Sequence, residues 1–551
     1  MLTIIIDWIY MLFTCFSIGF FLRWWVEKAF RYSIRRLDSV LLAGFIMATV
    51  YAQIFSLFYR VNAEANGILA AVSILICIAL RKSMGQFLRE SIGGASWPRR
   101  ILVAVLFLLW SFFSSRGYMV LDMDMYHGQS IRWIEEYGVV KGLGNLHCRF
   151  GYNSSIFAVS ALYSLKFLLG RTVHAVNGML AFILSVCLLD LGKAFRRKKM
   201  LLSDYARVGA IYYLTTIYDE IIAPSSDYAV MCVIFFIVVK WLTLLESGDG
   251  QVKDRTAPYA LLCVAGVYAL TLKLSAGLIL LLTVKPACML LREKRWKETG
   301  IYIAMGLLVA VPWMTRTVLI TGWLLYPFAG LDLFQVDWKI SDAIVRTDAY
   351  LIKTWAKCAN GLPDTSLKSW LPYWFRNGLS STERLLVIAD FSACIITAAL
   401  AVYVVVRKKW RQLDYLLVMA AVGCSYLYWQ FEAPMMRYGY AYVLLMAALT
   451  AGYFLERTAL RKAVYLALAV YGAYKLHVCW DYVVLFRTWP NYIWSETYGQ
   501  YEVESYEIGG ETFYYSPYGG GTGYDPFPSA PEQADLELRG EDMRDGFRMR
   551  Q

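Results

Sequence analysis

Leu385-Leu-Val-Ile-Ala-Asp-Phe-Ser-Ala-Cys-Ile-Ile-Thr-Ala-Ala-Leu-Ala-Val-Tyr-Val-Val-Val406 is a run of 22 residues with the length and apolarity of a bilayer crossing. Roughly 20 apolar residues of helix traverse about 30 Å of hydrocarbon. Residues 40–59, 301–318 and 440–455 repeat the pattern. Of the 551 residues, 58% are hydrophobic, 16% aromatic and only 17% charged, whereas a water-soluble chain of this size exposes more charge. The blocks predict an all-α polytopic transmembrane protein of about 12–14 helices embedded in a lipid bilayer.

The formal net charge of +12 does not point to nucleic acid, because the bases fall in short clusters between apolar blocks. Lys28/Arg31/Arg35/Arg36, Arg81/Lys82/Arg89/Arg99/Arg100, Arg196 to Lys199, Arg292 to Lys297, Arg407 to Arg411 and Arg457 to Lys462 follow the positive-inside pattern and predict cytoplasmic loops. Loops with fewer bases, at 62–66, 118–152, 218–227, 321–383 and 432–437, are predicted outside, as are the N-terminus and the lysine-free, acidic C-terminal tail. Residues 1–23 read as a first span, not as a cleavable signal. Both 154–169 and 172–191 are hydrophobic, yet two crossings would carry Arg196 to Lys199 outside. Residues 154–169, interrupted by Lys166, are therefore expected to lie in the interface or re-enter without crossing.

Most of the 11 cysteines sit in apolar blocks, where Cys acts as a small hydrophobe. Cys148, Cys358 and Cys479 fall in or near outer loops and are the candidates for pairing. No phosphate-binding loop or dinucleotide fingerprint occurs, so any reaction draws on its substrate or on a gradient.

Polar chemistry gathers after the fourth span, in Leu121-Asp-Met-Asp-Met-Tyr-His-Gly-Gln-Ser-Ile-Arg-Trp-Ile-Glu-Glu-Tyr-Gly138. Asp122 and Asp124 precede an amphipathic helical pattern. On it His127 lies three residues after Asp124, and Tyr126 four after Asp122, so each pair would share a face. A glycine-marked loop follows with His147 and Arg149. The plain alternative is a solvated loop in which Asp122 or Asp124 caps a helix. Other outer loops add Asp227 at the head of a span, Glu432 and Arg437, and Lys273 at the tip of a hydrophobic hairpin. Ionisable groups at membrane depth cost several kcal/mol unless paired or hydrated, so four loops supplying them to one side predict a polar, outward-facing site. The loop at 320–385 carries Trp338, Trp355, Trp370 and Trp374. Each is readable as an interfacial anchor, and together as a lid with an acceptor platform.

These features resemble the GT-C class of membrane glycosyltransferases, which use polyprenyl-phosphate-linked sugars. Asp122-Met-Asp124 fills the position of that class's acidic motif in an early outer loop, and Pro224-Ser-Ser-Asp227 its second acidic position. Trp313-Met-Thr-Arg-Thr-Val-Leu-Ile-Thr-Gly322, Leu325-Tyr-Pro327, Leu538-Arg-Gly540 and Asp545-Gly-Phe-Arg548 are similar to segments of bacterial members and of an uncharacterised bacterial membrane group. About four spans precede the acidic loop here, where the class usually has one. The resemblance implies a GT-C-like core at 117–480 with outer loops 117–172 and 320–385, preceded by membrane helices at 1–116 and followed by an extracytoplasmic segment at 481–551. It also implies a multi-pass protein of the bacterial cytoplasmic (inner) membrane.

The chemistry implied is inverting transfer of a hexosyl or pentosyl group to a glycan or lipid acceptor. Asp122 or Asp124 would be the general base, and Lys273, Arg149 or Arg437 would stabilise the leaving phosphate. His127, His147 and Asp227 would bind or orient the substrates. Two Asp spaced by one residue can also share a hard cation such as Mg or Mn, although some members of the class work without one. A transporter or flippase of lipid-linked glycans, or a polysaccharide polymerase, is the competing reading. The absence of an internal repeat and the clustering of acids on one side favour the enzyme. The tail's turn residues and Glu511-Thr-Phe-Tyr-Tyr515 predict a small cap with a hairpin, against a disordered alternative.

Overall fold

The computed structural model describes residues 1–117, 120–197, 199–247, 255–360, 365–455, 461–487 and 489–550. Tyr118, Lys198, Arg457 and positions 361–364 of the long loop lie outside the described residues.

Nine helices among the described residues are long and apolar enough to cross a membrane. Six are Leu2–Phe30, Leu37–Ser56, Ala63–Gly93, Val176–Ala194, Ser226–Ser247 and Leu274–Arg292; the others are Trp296–Thr321, Ser381–Val406 and Met436–Leu455. This is fewer than the 12–14 expected. The shortfall lies in apolar runs that fold into shorter helices, such as Trp97–Phe113, Leu202–Leu214 and Ala257–Leu272. Leu413–Glu432 and Arg461–Leu485 reach span length but are less apolar. The stretch at 154–169 breaks after Ser155–Leu162, eight residues that are all buried. A helix of that length spans only about 12 Å.

Helix ends follow local chemistry. Ser381–Val406 opens with reciprocal bonds: Glu383 N donates to Ser380 Oγ at 3.3 Å, and Ser380 N to the Glu383 carboxylate at 2.7 Å. The N-terminal helices join the main core. Trp8 Nε1 donates to Ala175 O at 3.2 Å, and Asn66 Nδ2 to Leu162 O at 2.9 Å. Ser226–Ser247 is the central helix, with 83% of its apolar window buried, whereas Ser381–Val406 has 22% and lies at the periphery.

The C-terminal segment is folded. Glu504–Ile508 pairs antiparallel with Glu511–Tyr515 across Gly509-Gly510. Both glycines have positive φ, 62° and 88°, as a two-residue hairpin turn requires. Ser529–Ala530 adds a parallel strand, and Leu536–Leu538 pairs with Phe547–Met549. Gly142 and Gly546 let the segment dock on the early loop. A Cβ on Gly142 would lie 2.2 Å from Phe547 O, and one on Gly546 2.2 Å from Lys141 O. Arg539 extends the contact to Asp337 at 2.8 Å, so the Leu538-Arg-Gly540 and Asp545-Gly-Phe-Arg548 motifs serve docking. Cys148, Cys358 and Cys479 are free thiols.

Candidate functional site

Five charged side chains meet at the bundle end that carries the C-terminal segment, each supplied by a break between helices. Asp122 precedes a wide helical turn at Met123–His127 that leads into Gly128–Glu136. Asp227 lies in the first turn of Ser226–Ser247, where the helix dipole favours a carboxylate. Asn177 Nδ2 braces the turn before it by donating to Ala223 O at 2.7 Å and Ser225 O at 2.9 Å. Lys273 closes Ala257–Leu272, at the end that favours a cation. Arg149 sits in the short turn Cys148–Gly151. Arg437 starts Met436–Leu455, after a turn held by two indoles. Trp374 Nε1 donates to Pro434 O at 2.9 Å, and Trp429 Nε1 to Met435 O at 2.7 Å.

Arg437 joins the two acids. Its Nη2 donates to Asp122 Oδ2 at 2.5 Å, and its Nε lies 3.0 Å from Asp227 Oδ2, an ionic contact without hydrogen-bond alignment. Arg149 Nη1 approaches Asp122 Oδ1 at 3.6 Å. Lys273 donates to Asp227 and lies 3.5 Å from the centre of the Tyr438 ring. Three cations therefore meet two carboxylates among the described residues, and the cluster keeps one positive charge in excess.

Burial alone would raise the Asp122 carboxyl, but His127, Arg437 and Arg149 hold it below the ordinary carboxylate value. Burial drives His127 down to about 4, against the pull of Asp122 and Asp227. Its ring is thus neutral at pH 7, and the two guanidinium groups keep Asp122 ionised. His147 is also pushed down to about 4, by burial and by Arg149. Among the described residues His127 Nδ1 and His147 Nε2 have no hydrogen-bond partner.

The two acids of the Asp122-Met-Asp124 motif diverge, and neither caps its own helix. Asp124 accepts from Gly499 N at 3.1 Å and Tyr501 Oη at 2.7 Å, while its carbonyl accepts from Thr522 N and Gly523 N. It ties down the C-terminal segment. The expected pairing of Asp124 with His127 assumed an ordinary helical turn; the wide turn changes the register, and His127 instead packs between Tyr126 and Phe157. The two carboxylates do not fit a shared divalent ion. Among the described residues no three His, Cys, Asp or Glu side chains come together as a metal site.

Glu432 stands apart, paired with Lys353 at 2.6 Å. Trp370 and Trp374 are buried and Trp355 is exposed. Sequence reasoning missed Asp348, which accepts from Tyr152 and, at 3.2 Å, from Tyr326. Burial lifts its carboxyl above the ordinary value, opposed by Tyr152, Arg149 and Tyr326. It is one acid among Asp332, Asp337, Asp342 and Asp348, and nothing in its neighbours marks it. Tyr438 carried a signal, since it follows Arg437 directly.

A family model described as a domain of unknown function (DUF8201) matches residues 1–444. The chain belongs to that family. The DUF8201 match takes in Asp122, Arg149, Asp227, Lys273 and Arg437 and ends before the segment that Asp124 holds. No curated protein and no solved structure matches the chain.

Proposed function

We propose that this DUF8201 protein is an integral membrane glycosyltransferase of the GT-C type. It moves a sugar from a polyprenyl-phosphate donor to a glycan or lipid acceptor at the outer face of a bacterial cytoplasmic membrane. The supporting observation is Arg437 shared between Asp122 and Asp227, with Arg149 and Lys273 flanking and one positive charge in excess. Such a cluster suits an anionic substrate next to a carboxylate base.

In the reaction, an acceptor hydroxyl oxygen attacks the anomeric carbon. The bond from that carbon to the phosphate oxygen breaks, its electron pair leaves with the lipid phosphate, and the hydroxyl proton passes to Asp122. Arg149, Arg437 and Lys273 stabilise the departing phosphate. Asp124 holds the C-terminal segment beside the acceptor.

Purified protein in lipid, offered a panel of polyprenyl-phosphate sugars, is expected to release lipid phosphate. Asp122→Asn should lower the rate by about 10²–10⁴, the usual worth of a general base. Turnover of no donor, or full turnover by Asp122→Asn, overturns the reading.

Passage of a lipid-linked glycan remains a second reading because a second buried ionic network stands at the opposite end of the bundle. Lys240 donates to Asp38 at 2.7 Å, and Arg36 joins Asp38 to Asp190. Transporters place charge at both membrane faces. Movement of a labelled lipid-linked glycan across vesicles, without bond cleavage, would favour it.

A further inference from the structure

A groove of about 810 Å³ lies away from the Asp122 cluster. Its volume is that of a ligand pocket, and its walls repeat at helical spacing. Val284–Arg292 contributes Lys285, Cys288 and Arg292; Ser381–Val406 contributes Cys394, Ala398, Ala401 and Val405; Leu413–Glu432 contributes Leu413, Ala420, Gly423 and Leu427. Small residues at 398, 401, 420 and 423 hollow the space between the helices.

The groove has a polar end and an apolar end. Among the described residues Lys285, Arg292, Arg255, Glu293 and Asp414 line the first, with Lys285 held by Asp414 at 2.5 Å and Glu293 approached by Arg295 at 3.6 Å. From Leu413 the wall runs to Leu427, about 21 Å along the helix, more than the roughly 15 Å hydrocarbon depth of one bilayer leaflet. Ala398, Val405, Ala420, Cys424 and Leu427 are exposed along it, so the groove opens sideways. The basic end lies opposite the Asp122 cluster, since Leu413–Glu432 leads from Asp414 toward the turn that precedes Arg437.

We propose that this groove is a binding site for one anionic glycerophospholipid. The phosphate headgroup sits by Arg292 and Lys285, and an acyl chain lies along the small-residue wall. Charge complementarity selects the headgroup, as basic pockets at membrane surfaces do, and the excluded volume selects a chain. Bulk lipid filling a lateral cleft would show no headgroup preference.

The test uses the full-length protein in mixed micelles of phosphatidylglycerol and phosphatidylcholine with matched chains, with retained lipid read by native mass spectrometry. Wild type is expected to keep one phosphatidylglycerol, preferred over phosphatidylcholine by tenfold or more, each basic group being worth about fivefold near an anionic headgroup. Lys285→Gln with Arg292→Gln should lose the preference yet keep a lipid, and Ala420→Trp should lose both. Equal retention of the two lipids by wild type overturns the proposal, whether or not the variants fold. Unchanged preference in the folded double variant overturns it as well.

Discussion

The two ends of the bundle use the same side chains to different effect. At one end Asp38 is almost wholly buried and fully engaged, with Lys240 at 2.7 Å and Arg36 at 2.7 Å. Asp190 beside it takes Arg36, Arg99 at 3.1 Å and Lys193 at 3.2 Å. At the other end Asp122 keeps 21% of its side chain exposed, and Arg149 stops at 3.6 Å. Arg437 divides itself between two acids, and two neutral histidines carry ring nitrogens without partners among the described residues. Cations outnumber acids at both ends, so what sets the Asp122 end apart is the 3.6 Å gap to Arg149 and the histidine nitrogens without partners among the described residues. The same ion-pair chemistry is thus tightly paired at one end and more loosely paired at the other.

The largest expected effect falls on the tightly paired end. Asp38→Ala leaves the mostly buried Lys240 without its acid, while Arg36 keeps Asp190, and should cost about 3–5 kcal/mol, seen as a lowered unfolding midpoint. Arg437→Gln strikes the Asp122 end. It should lower turnover by about 10²–10³ through lost stabilisation of the leaving anion. Because Asp122 loses a cation, its carboxyl rises, and the acid limb of the rate profile should move to higher pH. A profile that stays in place would separate Arg437 from Asp122.

A smaller effect belongs to Tyr501→Phe, which removes one hydrogen bond to Asp124. It should loosen the C-terminal segment by about 1 kcal/mol, read as faster proteolysis there with turnover nearly kept. Smallest is the pH response of stability. His127 and His147 titrate near 4 when folded and near 6.5 when unfolded. The unfolded chain binds more protons in that window, so stability falls as pH drops through 6.5 toward 4. Between pH 7.5 and 6 each imidazole should account for about 1 kcal/mol or less. Asp122 works lower, its stabilisation being lost only as pH falls through its lowered value. Replacing both histidines with Gln should flatten the early slope, and an unchanged slope would place its origin elsewhere.

The Asp122 end was legible in sequence for a physical reason. Apolar helices leave charge only at their breaks, so Asp122, Arg149, Asp227, Lys273 and Arg437 stood out as residues of loops on one side. Their partition was not legible. What separates Asp122 from Asp124 is a wide turn and a segment nearly 400 residues away in the chain, and neither leaves a local pattern. Asp348 was hidden for the same reason, because its tyrosine partners come from a distant loop and from beside a Tyr-Pro turn. At the opposite end Arg36 and Arg99 count as loop bases by position, and only packing reveals that they pair with Asp38 and Asp190. The helix count depended on how far each apolar run stays helical, which Ser155–Leu162 shows is set by tertiary contacts.

Turnover and unfolding midpoint, measured together for Asp122→Asn and Asp38→Asn at matched amounts of folded protein, test the account most directly. It predicts that Asp122→Asn loses at least about a hundredfold in lipid-phosphate release with its midpoint nearly kept, while Asp38→Asn keeps turnover and loses midpoint. Equal turnover in the two variants, or loss of turnover in Asp38→Asn alone, would contradict it.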